Sequence, residues 1–328
     1  MKTDVELQIY STAKKKLYQP VLQESITLTS ERAGTPGQLD FKVVKDKTIS
    51  FQEGDPVMLK VNNHKMFYGF IFRKKRDKEQ IISVTAYDQL RYLKNKDTIV
   101  YENKTAGELI KMIASDYNLQ TGSIADTKYK IASRVEDNST LFDVIQNALD
   151  LTLTNKNKLY VMYDNYGKIT LKALDDMKVG KKNKYLLLTS TQAENFDYTS
   201  SIDDDTYNQV KLVYDNSDTG KKEVYISKST KNINKWGVLQ YYDTIQKGEN
   251  GKAKADALLD LYNSPTRTLQ LKNCLGDYRV RGGSMVVVQL NLGNKKINHW
   301  MLVEECKHEI KESEWFMTLT LKGGVINA

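Results

Sequence analysis

Apolar and polar residues alternate along short segments of the N-terminal part of the chain, which is the period-two pattern of half-buried β-strands. Residues 5–10 and 39–43 alternate in this way, and residues 67–72 and 82–86 add an aromatic strand and a further alternating one. About six short strands within residues 1–95 predict a small antiparallel barrel or sandwich.

The same strand pattern occurs twice in the chain. Gly54 precedes an alternating strand and two further strands, and Gly283 precedes three strands of similar pattern near the end. Glycine reaches positive φ angles that let a strand begin from a tight corner, so we expect both glycines to form such corners. The residues predicted to shape and fill the two units are Gly54, Val57, Leu59, Val61, Gly283, Val286, Val288 and Leu290. Two copies of one β unit indicate an assembly component rather than a catalyst.

Between the two β regions the apolar period changes to that of helices. Thr105 and Glu108 have the spacing of a capping box before apolar residues that share one helix face. A second amphipathic helix follows candidate caps at Ser139 and Thr140. Residues 96–179 are therefore predicted to form an α+β insert domain with its own core.

The last part of the chain returns to β character. Residues 180–215 and 265–328 are predicted to form a second antiparallel barrel, and residues 216–264 an inserted loop with a short helix. The predicted fold class is thus α+β and mainly β, with two antiparallel β-barrel domains and the α+β insert domain between them.

The charged residues narrow the range of partners. The chain has 328 residues and a formal net charge of +8, with basic residues in short runs such as 14–16 and 73–76. Such runs are typical of a surface that binds nucleic acid or an acidic partner, or of lysines that protect exposed strand edges. Aromatic residues do not interleave with the runs as base-stacking surfaces require, which favours the strand-edge interpretation.

No segment predicts export or membrane insertion. Residues 1–7 lack the apolar region of a signal peptide, and the longest apolar stretch, 285–288, is far shorter than a membrane span. The two cysteines, Cys274 and Cys306, have no paired spacing, which fits a reducing compartment. We expect synthesis and assembly in the host cytoplasm, with release on lysis.

Residue patterns for catalysis or metal binding are sparse. Cys306 and His308 share one face of a predicted strand, but a structural zinc site needs about four converging nitrogen and sulfur ligands. Gly282, Gly283 and Ser284 lack the spacing of a nucleophile elbow, and neither a P-loop nor a GxGxxG fingerprint occurs. We predict no enzymatic activity, no cofactor and no metal site.

Taken in order, these patterns resemble a known family: the baseplate hub proteins of contractile phage tails, in their PBSX-type (XkdQ-like) group, with distant similarity to the late-control-D proteins. The segments that carry the resemblance are residues 54–55, 67–70, 105–113, 139–145, 160–171 and 280–284. The resemblance implies two tail-tube-like barrels per chain and assembly as a homotrimer. Three chains would supply six similar blocks, so that a trimeric ring adapts a sixfold tail tube to a threefold central spike.

The resemblance also implies partners and a location. The ring would contact the tail tube or distal tube protein, the central spike and baseplate wedge components, with a tape measure contact as a further option. No membrane would be involved, and DNA would pass through the lumen only transiently. The protein would belong to the baseplate of a virion or of a headless phage-tail-like particle such as a bacteriocin. Two alternatives stay open: a β-rich carbohydrate- or nucleic-acid-binding module and, less readily, a cell-wall hydrolase.

Overall fold

The computed structural model describes residues 3–181, 184–203, 205–216, 220–245, 250–291 and 296–323. The chain is mainly β, as the sequence predicted. It contains two compact units, called here the main unit, Met1–Asp197 with Leu269–Ala328, and the small unit, Tyr198–Thr268. The sequence predicted domains with other boundaries, at residues 1–95, 96–179, 180–215 with 265–328, and 216–264. The two compact units do not test those boundaries, which stay a prediction.

Seven strands form the first β region of the main unit, because apolar residues alternate along them and meet in one core. They are β1 (Val5–Ser11), β2 (Lys16–Tyr18), β3 (Leu22–Glu31), β4 (Gln38–Val44), β5 (Pro56–Val61), β6 (His64–Arg76) and β7 (Ile81–Tyr87). The core side chains of the region, such as Leu39 and Ile71, are almost fully buried. A 3₁₀ helix, Gln89–Lys94, follows the last of these strands.

The α+β insert follows with two helices and five strands. They are β8 (Lys96–Lys104), α1 (Ala106–Asp116), β9 (Thr121–Ile124), β10 (Ile131–Thr140), α2 (Leu141–Lys156), β11 (Tyr160–Asp164) and β12 (Ile169–Ala173). A second 3₁₀ helix spans Leu174–Met177. The predicted capping box is confirmed: the Glu108 N–H donates to the Thr105 hydroxyl (3.2 Å), and the Thr105 N–H donates to the Glu108 carboxylate (2.7 Å). The apolar faces of both helices share one core cluster.

Four short strands lead from the insert towards the small unit. They are β13 (Gly180–Lys181), β14 (Lys184–Tyr185), β15 (Leu187–Thr189) and β16 (Asn195–Ser201). The elements that follow belong to the small unit and are β17 (Gln209–Asn216), β18 (Lys221–Lys228), α3 (Thr230–Trp236), β19 (Gln240–Ile245) and α4 (Gly251–Tyr262).

The small unit has its own three-stranded sheet. Strand β17 pairs antiparallel with β18 and parallel with β19, and Ala255 of α4 packs with Val210, Leu212 and Ile245. The sequence predicted that β17 belongs to the second barrel. It also predicted that residues 216–264 form a loop with one helix. The helix is α4, but β18, α3 and β19 occupy described parts of that loop, while residues 217–219 and 246–249 lie outside the described residues. The polar composition hid these strands because β18 is exposed along most of its length.

The second β region ends the chain with four strands: β20 (Thr266–Leu275), β21 (Met285–Asn291), β22 (Lys296–Lys311) and β23 (Glu314–Lys322). Both β regions share one sheet, with the strand order β16-β20-β23-β22-β3-β4-β7-β6-β5-β1-β2, and β21 pairs with β22 and β15 beside this path. Since β3 and β22 lie next to each other, the two regions are joined by backbone hydrogen bonds as well as by the chain.

Candidate functional site

A closed backbone corner precedes strand β5. Gly54 has φ +86° and donates its N–H to the carbonyl of Ile71 (2.8 Å), and Ile71 donates its N–H to the carbonyl of Asp55 (3.0 Å). The N–H of Asp55 donates to the carbonyl of Gln52 (3.2 Å), and the N–H of Gln52 donates to the Asp55 carboxylate (2.8 Å). These bonds fix the direction in which β5 leaves the corner.

The second β region contains the same corner, bond for bond. Gly283 has φ +86° and donates its N–H to the carbonyl of Val303 (2.7 Å), and Val303 donates its N–H to the carbonyl of Ser284 (2.8 Å). The N–H of Ser284 donates to the carbonyl of Arg281 (3.0 Å), and the N–H of Arg281 donates to the Ser284 hydroxyl (3.0 Å). The duplication in the sequence therefore extends to individual hydrogen bonds.

Strand pairing repeats in the same way. The register of β6 against β7 shifts between Ile71 and Arg73, and that of β22 against β23 shifts between Val303 and Glu305. The first region has the order β3-β4-β7-β6-β5-β1, and the second has β16-β20-β23-β22-β21-β15. The two orders differ in the direction of the last strand, because β1 runs antiparallel to β5 whereas β15 runs parallel to β21. Ile71 and Val303 are thus equivalent positions of two copies.

The apolar residues singled out in the sequence line the inner faces of β5 and β21. Those of β5 have no exposed surface, and those of β21 are between fully buried and 4% exposed. They are Val57, Leu59 and Val61 in the first copy and Val286, Val288 and Leu290 in the second. Each such side chain contributes roughly 1.5–3 kcal/mol to folding when buried. Their role in assembly stays a prediction.

The two corners differ in what surrounds them. Asp55 is fully buried in the first; burial raises the pKa of this carboxyl, but hydrogen bonds from Thr12 and Gln52 outweigh that effect and lower it. In the second corner, Gly282 donates its N–H to the Ser30 hydroxyl (3.0 Å), and a Cβ at Gly283 would overlap Val161 of the insert. The second corner is therefore packed against both the first β region and the insert.

Sequence reasoning did not identify Gly282 as a packing position. A Cβ there would overlap the backbone of Glu31, which lies in strand β3. The pair of adjacent glycines is a visible signal, but the neighbour that requires the absent side chain is about 250 positions away in the chain and leaves no trace in the local pattern.

The junction between the two copies is formed by β3 and the second half of β22. These strands pair antiparallel from Glu305 opposite Glu31 to Ile310 opposite Ile26. Arg32 strengthens the end of this pairing, because both its N–H and its guanidinium Nε lie 2.8 Å from oxygen atoms of Glu304. Ile310 is 2% exposed and belongs to the core of the first β region. One strand thus contributes to both copies.

Two carboxylates, the buried Asp88 and the half-buried Asp164, lie beside this junction. Asp88 accepts the N–H of Gly37 (2.8 Å), and Asp164 accepts the side-chain amide of Gln89 (3.0 Å). Burial, and then the charge of Asp164, raise the pKa of Asp88 well above its usual range, and burial raises the pKa of Asp164. The adjacent cavity is about 60 Å³, far below the roughly 300–1,000 Å³ of small-molecule sites. The carboxylates bond to protein groups, as in a structural polar cluster.

Cys306 and His308, which the sequence placed on one face of a strand, do come together, with Sγ and Nε2 3.3 Å apart. His308 Nε2 lies 2.9 Å from the Val280 carbonyl, and Trp315 Nε1 donates to His308 Nδ1 (3.1 Å). Both bonds fit a neutral ring protonated on Nε2. Burial lowers the pKa of His308 to about 4 and raises the pKa of Cys306. Across the described ranges, no three His, Cys, Asp or Glu side chains converge on one point.

Within the part of the chain that the structure describes, no helix is long and apolar enough to span a membrane.

The model of the YQBQ-like family matches residues 26–322. The chain is also 30% identical over 308 residues to the phage-like element PBSX protein XkdQ of Bacillus subtilis (strain 168), an alignment that covers 91% of this chain and 92% of that protein.

Solved structures share the fold at much lower identity. The 43 kDa tail protein of prophage MuSo2 from Shewanella oneidensis matches with a TM-score of 0.69 and 10% identity, over 96% of this chain and 98% of that one. The E. coli c3393 protein, a type VI secretion component described as similar to T4 tail proteins gp27 and gp5, matches with a TM-score of 0.56 and 9% identity, over 98% and 78%. Since the family model matches most of its length, the chain belongs to the YQBQ-like family.

Proposed function

We propose that this protein is a non-enzymatic structural hub of a contractile phage tail or phage-tail-like particle, acting as a trimeric ring. The observation that carries the proposal is the duplicated unit: two strand meanders with equivalent corners at Gly54 and Gly283 and equivalent register shifts after Ile71 and Val303. A subunit with two similar halves presents two similar surfaces. Similarity to prophage tail proteins supports the same assignment.

The duplication has a direct use at a symmetry mismatch. A ring must match its neighbour's symmetry at every contact to bury equivalent surfaces. Three chains with two similar copies each offer six similar surfaces to a sixfold tail tube or distal tube protein. The same three chains offer three identical surfaces to a threefold central spike.

The second face of the shared sheet supports a ring with a water-filled passage. On β4 and β7, polar residues occupy the face opposite the core: Thr85 donates to the Asp40 carboxylate (2.6 Å), and Gln38 donates to its other oxygen (2.6 Å). A sheet that buries one face and keeps polar side chains on the other fits an apolar core on one side and water on the other. DNA would pass transiently along this polar face in a particle that carries it.

The insert between the two copies, predicted over residues 96–179, is the part we assign to baseplate wedge components, with the tape measure as a further contact. Assembly would take place in the host cytoplasm, with release in the particle on lysis. We assign no catalytic role to Asp88 and Asp164, because each carboxylate is already bonded to protein groups beside a cavity of about 60 Å³.

The test is the solution mass of the purified chain, measured by light scattering after size exclusion over a concentration series. We expect a species near three times 37.6 kDa. In parallel, host cells that lack the gene should release tubes without baseplates under the electron microscope, and the wild-type gene should restore complete particles. A monomer at every concentration together with normal particles from the deleted strain would overturn the proposal.

A further inference from the structure

One junction between copies is filled inside each chain. The N–H of Arg32 donates to the carbonyl of Glu304, and because bonded residues alternate in an antiparallel ladder, Cys306 and His308 also direct their backbone groups towards β3. The first strand of the first copy is therefore hydrogen-bonded to the part of β22 that follows its register shift.

The equivalent stretch of the first copy is residues 73–76 of β6, which follow the matching register shift. Within the described residues this stretch pairs with β7 on one side and has no strand on the other. By equivalence with Cys306 and His308, the backbone groups of Lys74 and Arg76 point to that open edge. Side-chain contacts support the equivalence, since Lys74 Nζ donates to the Phe51 carbonyl (2.8 Å) just as Cys306 Sγ contacts the Val280 carbonyl (3.8 Å).

In the filled junction, the partner of β22 is β3, and the second copy contains a strand equivalent to β3. β3 is the first strand in the order of the first copy, and β16 holds that place in the second. Among the strands of the described residues, β16 stands at the end of the shared sheet with β20 as its one neighbour, and residues 195–197 are exposed. Phe196 in particular has 37% of its surface exposed. Each chain thus has one junction in which both strands are paired, β3 with β22. Over the described ranges it also has two unpaired strand edges, at residues 73–76 of β6 and at β16, that are equivalent to the two sides of that junction.

We propose that these halves meet between chains, so that residues 73–76 of β6 pair antiparallel with β16 of a second copy as β22 pairs with β3 within the chain. The inference rests on the proposed trimeric hub and names the surfaces that would close it. The contact joins two different edges, so it repeats head to tail and closes into a ring when the rotation allows. The path β16-β20-β23-β22-β3-β4-β7-β6 would then continue from chain to chain.

Charge favours this partner over a second β6 edge. Residues 73–76 are Arg, Lys, Lys and Arg, so two β6 edges would repel each other, as lysine-rich strand edges commonly do. Asp197 lies in β16 and Glu194 just before it, and both are exposed. They give that edge acidic groups, of which Asp197 also forms an ion pair with Lys272 of β20 (2.5 Å). Attraction to one edge and repulsion from the other select the head-to-tail contact. The basic run thereby has a use other than nucleic-acid binding.

The test is disulfide trapping in the full-length chain. One cysteine replaces Lys75 or Arg76, and a second replaces Asn195, Phe196 or Asp197 in turn, so that the outcome does not depend on register. Directly opposite residues of paired strands have Cβ atoms roughly 4.5–5.5 Å apart, so a small local adjustment brings them to the roughly 3.5–4.5 Å of a disulfide. We expect mild oxidation to give covalent dimers and trimers with at least one pair, at a yield at least tenfold above that of the control pair of Lys75→Cys and Lys111→Cys, with Lys111 on the exposed side of α1.

Each outcome decides between the two proposals. A trimeric mass with no β6–β16 cross-link above the control overturns this inference and leaves the trimeric hub standing. Cross-links between β6 cysteines of two chains, in variants with the β6 cysteine alone, would also overturn it. A strict monomer without cross-links would overturn the inference, and together with normal particles from the deleted strain it would overturn the trimeric hub as well.

Discussion

At the scale of single residues, two glycines at equivalent corners are under different constraints. Gly54 and Gly283 share φ +86° and the same hydrogen bond to the strand across the corner. A side chain at either position would strain the backbone. Beyond this common strain, a Cβ at Gly54 meets nothing within 4 Å, whereas one at Gly283 overlaps Val161. The two sites therefore separate the cost of the φ angle from the cost of packing.

Gly54→Ala should lower the free energy of unfolding by about 1–3 kcal/mol through backbone strain alone. Gly283→Ala should lower it by about 1–3 kcal/mol more, because its methyl group overfills a packed site. Urea unfolding followed by circular dichroism measures both. In the Val161→Ala background the added cost of Gly283→Ala should shrink; equal costs for the two single variants would contradict this account. The larger Gly283→Val should also abolish particle assembly.

His308 should make stability depend on pH. Burial lowers its pKa from 6.5 to about 4, so between these values the unfolded chain binds a proton that the folded chain does not. The stability present above pH 6.5 is therefore lost as pH falls towards 4, by roughly 3 kcal/mol. Asp88 and Asp164, whose pKa values are raised, act in the opposite direction. The measurement is the difference between wild type and His308→Gln, in which this loss should vanish.

At the scale of secondary structure, β22 has two roles along its length. Its first half pairs with β21, and its second half pairs with β3 and carries Ile310 into the core of the first β region. Its first half contains the apolar run 300–303, and its second half alternates between buried and exposed residues over 306–311, so the sequence predicted a strand. The change of partner has no local signal.

Ile310→Ala should therefore destabilise the first β region, although it lies near the C-terminus. Removing a buried isoleucine side chain costs about 2–5 kcal/mol. Hydrogen exchange should show faster exchange of β1 and β5 amides, whereas Ile297→Ala, in the first half of β22 and equally buried, should affect β21 first. Unchanged protection of β1 and β5 in the Ile310 variant would contradict the shared core.

At the scale of the whole molecule, the cores of the two units differ in size. Among the described residues, the cluster in the small unit has four buried members, Val210, Leu212, Ile245 and Ala255, against sixteen in the first β region. Little apolar burial is available to offset the conformational entropy of ordering the small unit. The parts of the chain should therefore open at different free energies.

Native-state hydrogen exchange should show this difference directly. We expect amides of β17 to exchange at least tenfold faster than those of β5, although both strands are central in their sheets. The Leu212→Ala variant should increase exchange in β17, β18 and β19 and leave β5 unchanged. Equal protection of β5 and β17 in the wild type would show that the chain opens as one cooperative unit.

By itself, the sequence determined what depends on neighbours along the chain. Alternation identified most strands of the two β regions, glycines identified both corners, and Thr105 with Glu108 identified the start of α1, because each of these depends on residues a few positions apart. The repeat was visible for the same reason. Strands β8 and β10 of the insert were not predicted. Strands β18 and β19 were missed because most of their residues face outward and the apolar alternation is weak.

Only the tertiary structure decided which distant segments meet. The pairing of β3 with β22, the contact of Gly282 with Ser30 and the parallel pairing of β17 with β19 join strands that no local pattern links. Backbone hydrogen bonds carry no sequence code of their own, so any strand edge can pair with another until packing and charge select one. The open edge of β6 could be recognised for that reason only by comparing two copies of one unit in the folded chain.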